Sequence, residues 1–226
     1  MRSAKPALTT VTVLSLALGA ASNVARADER PAFVHSARGP GAGEVSFSLG
    51  LRALMAVGDA FAFLPLVDFN LAYGIIDPLK LYLNIATIGL GTFTDLGLEF
   101  RLLGTSDGAV ALAARAGVSP IFFFVAAGGD SAGGVIFAAT PGLAFSVGSD
   151  AIQLTLGADF PMYLGGALSS NGISTSGTGF GPTLRPVLAL EIPLGKVGLV
   201  VSEQAYIPLK GSADTIIMTT SLGLSW

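Results

Sequence analysis

Nine charged residues carry most of the chemistry this chain could support: Arg52, Asp68, Lys80, Glu99, Arg101, Arg115, Asp159, Arg185 and Glu191. Both signs are interleaved, and each residue stands on the opposite parity from the leucines and phenylalanines around it. Brought into a space a few side chains wide, they would form ion pairs such as Arg52 with Asp68 and Asp159 with Arg185, because a buried charge without a partner is strongly destabilising. Such a network either fills and stiffens an interior or lines a narrow solute path. Acid–base catalysis has little to work with. His35 is the only histidine, ahead of the first patterned segment, and hydrolases that use a general base need it beside a Ser or Asp. Asp68 and Asp159 would make a carboxylate pair, but arginines are predicted beside both, so they read as ion-pair members. With no cysteine and a single histidine there is no metal constellation. Gly39-Pro40-Gly41 and Gly128-Gly129 lack the following Lys-Ser/Thr of a phosphate loop. The chain is therefore expected to be no enzyme and to hold no cofactor or metal.

The elements that must position these charges follow a two-residue period. From Glu44 onward Val45, Phe47, Leu49 and Leu51 alternate with Ser46, Ser48, Gly50 and Arg52. After a turn at Gly58-Asp59, Val67 to Gly74 repeats the pattern. Beyond Ile76-Asp77-Pro78 it returns over Leu79 to Ala86, and past Gly89 to Thr94 over Leu96 to Leu102. The second half gives Val110 to Ser119, Phe137 to Val147, Ile152 to Phe160, Leu184 to Ile192, Val197 to Gln204 and a closing segment from Thr215 to Trp226. Loops are predicted over Ala126 to Gly134 and Gly165 to Gly179. Pro141 and Pro186 fall inside strands, which implies bulges or misplaced boundaries. Glu203 stands on the apolar parity, which puts it near a rim or past a bulge. Ile217 is the lone apolar residue on the small, polar parity of the closing strand, and Thr220 the lone break on the other.

Composition says what surrounds these strands. Hydrophobic residues make up 51% and charged residues 12% of the chain, with a mean hydropathy of +0.70, so something other than water faces part of its surface. Glycine (30) and proline (12) are scattered throughout, and Arg115, Pro120 and Pro141 interrupt the longest apolar runs, which excludes most helical spans of ~20 residues. A net charge of -3 gives no reason to expect nucleic acid. Arg2 and Lys5 precede an apolar run from Val11 to Ala21 and then Ala25-Arg26-Ala27, a small-x-small pattern. Residues 1–27 thus read as an export signal cleaved after Ala27, residues 28–43 as a flexible periplasmic segment, and residues 44–226 as the folded sheet.

An amphipathic strand with Leu222, Leu224 and a terminal Trp226 on one face resembles the closing strand of the bacterial outer-membrane β-barrel superfamily. The resemblance implies that these three residues are a signature recognised by the barrel-assembly machinery during insertion. The fold expected is all-β, a transmembrane antiparallel up-and-down barrel of about ten strands, with eight or twelve as alternatives. An even count puts both ends in the periplasm, with short turns at Asp77, Ser106, Ser149 and Lys196 and longer external loops near Gly129 and Gly172. Aromatics would form girdles: Phe61, Phe63, Phe93, Phe122, Phe137 and Phe180 outside, and Tyr73, Phe145 and Trp226 on the periplasmic side. Two functions remain open. One is a porin-like narrow channel or carrier for small solutes. The other is a structural or surface-interaction barrel, similar to the small OmpA-like and OmpX-like domains of the Gram-negative envelope, with outer-membrane lipid around it and an unidentified external ligand.

Overall fold

The computed structural model describes residues 36–37, 40–57, 61–88, 91–105, 109–127, 130–149, 151–170, 173–177, 181–195, 197–209 and 216–226. Among these the alternating segments form thirteen strands: β1 (Val45–Val57), β2 (Phe61–Ile76), β3 (Leu79–Thr87), β4 (Gly91–Gly104), β5 (Val110–Ala127), β6 (Asp130–Ala139), β7 (Gly142–Gly148), β8 (Gln153–Asp159), β9 (Met162–Ser170), β10 (Ile173–Gly177), β11 (Thr183–Leu194), β12 (Val197–Pro208) and β13 (Ile216–Ser225). All pair antiparallel. β1 pairs with β2 on one side and β13 on the other, while β5 holds β6 along its second half and β7 along its first. The pairs β6/β7, β8/β9 and β10/β11 each run as one interrupted stave, so the sheet closes on itself as a ten-stave up-and-down barrel. Closure gives the staves a neighbour on both sides through the body of the barrel, while β10 at the far end pairs, among the described residues, with β9.

The β6/β7 and β8/β9 interruptions fall at Thr140-Pro141 and Phe160-Pro161, and the ladder register carries across both. The register of β5 against its neighbour carries on from Val118↔Ala139 to Arg115↔Gly142 across Thr140-Pro141. Each proline loses the one ladder bond its missing N–H would give, but its carbonyl still accepts: Phe160 N–H donates to Pro141 O at 2.8 Å and Thr183 N–H to Pro161 O at 2.9 Å. Pro186 sits inside β11 opposite Ala158 in the same unbroken register. Register shifts lie at Gly74/Ile76 and Arg101/Leu103, and at Phe137/Ala138 opposite Gly165 and Tyr163, a few residues beyond Pro161.

The two long loops predicted from sequence are hairpins. β5 and β6 pair up to Ala127↔Asp130, and β9 pairs with β10 from Gly166↔Gly177 to Ser170↔Ile173. Ser169, Ser170, Ser174 and Ser176 are all exposed, on both parities, so this hairpin has no apolar face to mark it as a strand. These hairpins extend the end of the barrel opposite the turns at Asp77, Ser149 and Gly195, here called the far end.

Burial is inverted relative to a water-soluble domain. Leu49, Leu51, Val67, Leu98, Phe122, Phe137, Leu156, Leu222 and Leu224 are exposed on the outside, while arginines, carboxylates and small hydroxyls fill the inside. Trp226 closes the outer belt at the turn end, where it exchanges two backbone bonds with Phe47 and meets its ring edge-on at 4.5 Å. Phe93 leaves the predicted girdle: it has the inward parity of Asp95 and Glu99 and faces the lumen. Phe180 and the side chain of Phe61 lie outside the described residues, as do residues 1–27 and His35.

Candidate functional site: the lumen

One register row organises the charged interior. Lys80 pairs across the sheet with Glu99, Glu99 with Arg115, Arg115 with Gly142, Gly142 with Asp159, and Asp159 with Arg185. Because barrel strands tilt, such a row climbs as it circles. Lys80 is next to Leu79 at the turn end of β3, whereas nine positions separate Arg185 from Leu194 at the turn end of β11. The side chains alternate in sign along the climb. Lys80 Nζ lies 2.8 Å from Glu99 Oε1, and Arg115 Nε 2.7 Å from Glu99 Oε2. Arg115 Nη1 is 3.8 Å from Asp159 Oδ1; Arg185 Nη2 is 2.8 Å from Asp159 Oδ2 and its Nη1 2.8 Å from Asp95 Oδ2. A second pair stands beside it, with Arg52 Nη2 donating to Asp68 Oδ2 at 3.0 Å and Asn84 Nδ2 to Asp68 Oδ1 at 3.0 Å. All these charged groups are buried.

Gly142 allows the spiral to skip a stave. It lies between Arg115 and Asp159, and a Cβ there would coincide with Asp159 Oδ1. Gly142→Ala should therefore displace that carboxylate and cost about 1–3 kcal/mol, an overpacking effect. Urea unfolding of the barrel in lipid vesicles measures it as a lower midpoint at unchanged slope. Gly157→Ala is the control. That inward glycine meets Val187 Cβ at 3.3 Å and Leu143 O at 3.4 Å, close contacts without the overlap found at Gly142, so its change should cost clearly less.

The remaining predicted site residues fall as follows. Glu191 is buried and accepts from Ser225 Oγ at 3.1 Å. Arg101 does not join the spiral: it lies half-buried at the turn end, just before the slip in β4, and pairs with exposed Asp77. Asp68 and Asp159 each face an arginine and are not partners of one another. Glu203 faces outward in register with Leu188 and Thr220, with no bulge beside it. Leu222, Leu224 and Trp226 all point outward.

Two features were not anticipated. At the turn end Ser36 and Ala37 are inside the barrel. Lys80 Nζ donates to Ser36 O at 2.6 Å, Gln153 donates to Ser36 Oγ, Ala37 N–H donates to Ser146 Oγ at 2.8 Å, and Ala37 packs on Ala111, Ala113 and Ala144. Toward the far end the lining changes from ionic to apolar around a cavity of about 210 Å³. Leu54, Leu66, Phe93, Ile121 and Ile217 form part of its wall, with Tyr163 and Tyr206 among them. Arg52, Asn84, Asp95, Arg185, Thr140 and Thr219 form its polar part. Asp95 itself is held by Arg185 and by Ser119, which donates to Oδ1. The signal for this wall lay in the apolar exceptions on the inward parity: Leu54 two places beyond Arg52, Leu66 two before Asp68, and Ile217.

No protein-family model matches the chain, and no curated protein does. Among solved structures it is similar to Ail, the attachment invasion locus protein of Yersinia pestis (16% identity, 82% of this chain and 99% of that one, TM-score 0.35). It is also similar to the translocator domain of the autotransporter NalP from Neisseria meningitidis (11% identity, 97% and 95%, TM-score 0.40). A third is the N-terminal β-barrel domain of Pseudomonas aeruginosa OprF (12% identity, 79% and 97%, TM-score 0.30). At such low scores the reading of this barrel rests on its own strand pairing and burial.

Proposed function

We propose that this chain is an integral outer-membrane protein whose lumen is closed to solutes, with a structural or surface-interaction role and no catalytic one. What carries the reading is the combination of an apolar outer belt with a lumen crossed by paired charges. The outer face, from Leu49 and Leu51 around to Leu222 and Leu224, is apolar enough to stand in hydrocarbon. Inside, the climb from Lys80 to Arg185 and the backbone of Ser36 and Ala37 occupy the width that a solute would need. In this reading the turn end faces the periplasm, the β5–β6 and β9–β10 hairpins face outward, and the export signal is removed after Ala27. The assembly machinery would bind the outward face of Leu222, Leu224 and Trp226.

Single-channel recording in planar bilayers is the test. The folded barrel should be silent, and its folded state should be visible as faster gel migration before boiling than after. Stable openings that change on Arg115→Ala or Arg185→Ala would replace the closed barrel with a narrow channel.

A further inference from the structure

We infer that the far-end half of the lumen is a binding site for a small neutral molecule with a flat or compact apolar body and one hydroxyl or carbonyl group. The inference rests on the proposed barrel and stands apart from whether its lumen conducts. Size comes first. A cavity of about 150 Å³ suffices for benzene, and at about 210 Å³ this one has room for roughly two fused rings. The wall is then selective for apolar surface, since Leu54, Leu66, Phe93, Ile121 and Ile217 give a ligand hydrocarbon contact on several sides. Ile217 remains 38% exposed although its parity is inward, so the cavity wall is open to the medium at the far end.

Charge decides the class. Every ionic group on the polar side already has its counter-charge: Arg52 has Asp68 at 3.0 Å, and Arg185 has Asp95 and Asp159, each at 2.8 Å. An anionic or cationic ligand would bring a charge with no partner into a buried site, or would have to break one of these pairs. A hydroxyl or carbonyl meets no such obstacle. Thr140 and Thr219 line the cavity, each is 2% exposed, and among the described residues neither Oγ1 has a hydrogen-bond partner. Buried hydroxyls are normally satisfied, and a polar group on a bound molecule would supply what these two lack.

The experiment uses the full barrel in lipid nanodiscs with 13C-labelled Ile and Leu methyls, titrated with 2-naphthol. Saturable shifts are expected at Leu66, Ile121 and Ile217, while outward Leu98 and Leu156 report only partition into lipid. The carboxylate of the same ring system, 2-naphthoate, should bind at least roughly tenfold more weakly. Ile121→Trp fills the cavity and should abolish the shifts at Leu66 and Ile217, with gel migration confirming that the barrel folds. The pair Thr140→Val and Thr219→Val should weaken 2-naphthol binding by roughly threefold to tenfold without loss of folding. Shifts confined to outward methyls, naphthoate binding as tightly as naphthol, or binding unaltered by Ile121→Trp would each overturn the inference. Conductance is recorded on the same preparation. A conducting barrel that still binds 2-naphthol loses the closed-lumen role and keeps the site, whereas a silent barrel that binds nothing keeps the role and loses the site.

Discussion

Glu99→Ala should cost about 3–5 kcal/mol of barrel stability, the penalty for removing one partner from a buried ionic cluster. Glu99 bridges two cations, with Lys80 on one oxygen at 2.8 Å and Arg115 on the other at 2.7 Å. Without it, Lys80 and Arg115 face each other inside the lumen. Arg115 keeps a longer contact to Asp159, at 3.8 Å, whose other oxygen is held by Arg185. The loss would register as a lower urea midpoint for the barrel in vesicles, with the slope unchanged because the surface exposed on unfolding is the same. Replacing Glu99 and Arg115 together by methionine should restore part of it, since that change is neutral in charge and leaves Arg185 balanced against Asp159 and Asp95 no worse than removing Glu99 alone. If Glu99→Ala unfolds with the parent, water reaches both cations, and the interior around them is a wet path instead of a packed one.

The fold was legible where the two faces of a strand meet different surroundings. Toward the turn end of β1 to β4 the outer face is apolar and the inner face mostly ionic or small, so parity alone sorts Leu49 from Arg52 and Leu98 from Glu99. The β9–β10 hairpin lacked that contrast. Its serines are exposed on both faces, and a strand of that kind reads as loop. Of the two readings open for the prolines, the misplaced boundary holds at Pro141, which lies between β6 and β7, and the bulge holds at neither, since the register continues past Pro141 and Pro186.

The candidate site was legible in its ionic part and not in its apolar part. Arg52, Asp68 and Glu99 disclose their side by being charged among leucines. Asp95 shares the parity of Glu99 but lies next to Thr94, where the sequence reads as a glycine-rich connection; β4 in fact begins at Gly91. Cutting β4 short also hid Phe93, two places further along the same face. The inward face changes from ionic to apolar toward the far end, so a rule that equates inward with polar fails at Leu54, Leu66, Ile121 and Ile217. These residues look like errors of pattern in one strand at a time, and only the register of several strands shows that they converge. Ser36 and Ala37 gave no periodic signal because they belong to no strand, and their burial depends on hydrogen bonds to Lys80, Ser146 and Gln153, more than 40 positions away in each case.

The outer face sets a second, depth-dependent expectation. Leu98 lies near the middle of β4, outward and 45% exposed, with Leu81 and Ala116 as its register partners. Leu98→Arg would place a guanidinium near the midplane of the hydrocarbon layer, where an arginine on the lipid face of a barrel costs about 2–4 kcal/mol. Leu103 is also outward-exposed but is next to the last residue of the same strand, where the side chain reaches the interface, so Leu103→Arg should cost about 0–1 kcal/mol. Both variants leave the lumen charges untouched, so the difference between them reports only the medium against the outer wall. Urea midpoints of the two in vesicles of one lipid composition measure it directly. A large gap fits a belt immersed in hydrocarbon across its middle. Equal and small effects would mean that water or another protein surface covers the leucines of β4, and the apolar exterior would then have to be explained by assembly with a partner instead of by lipid.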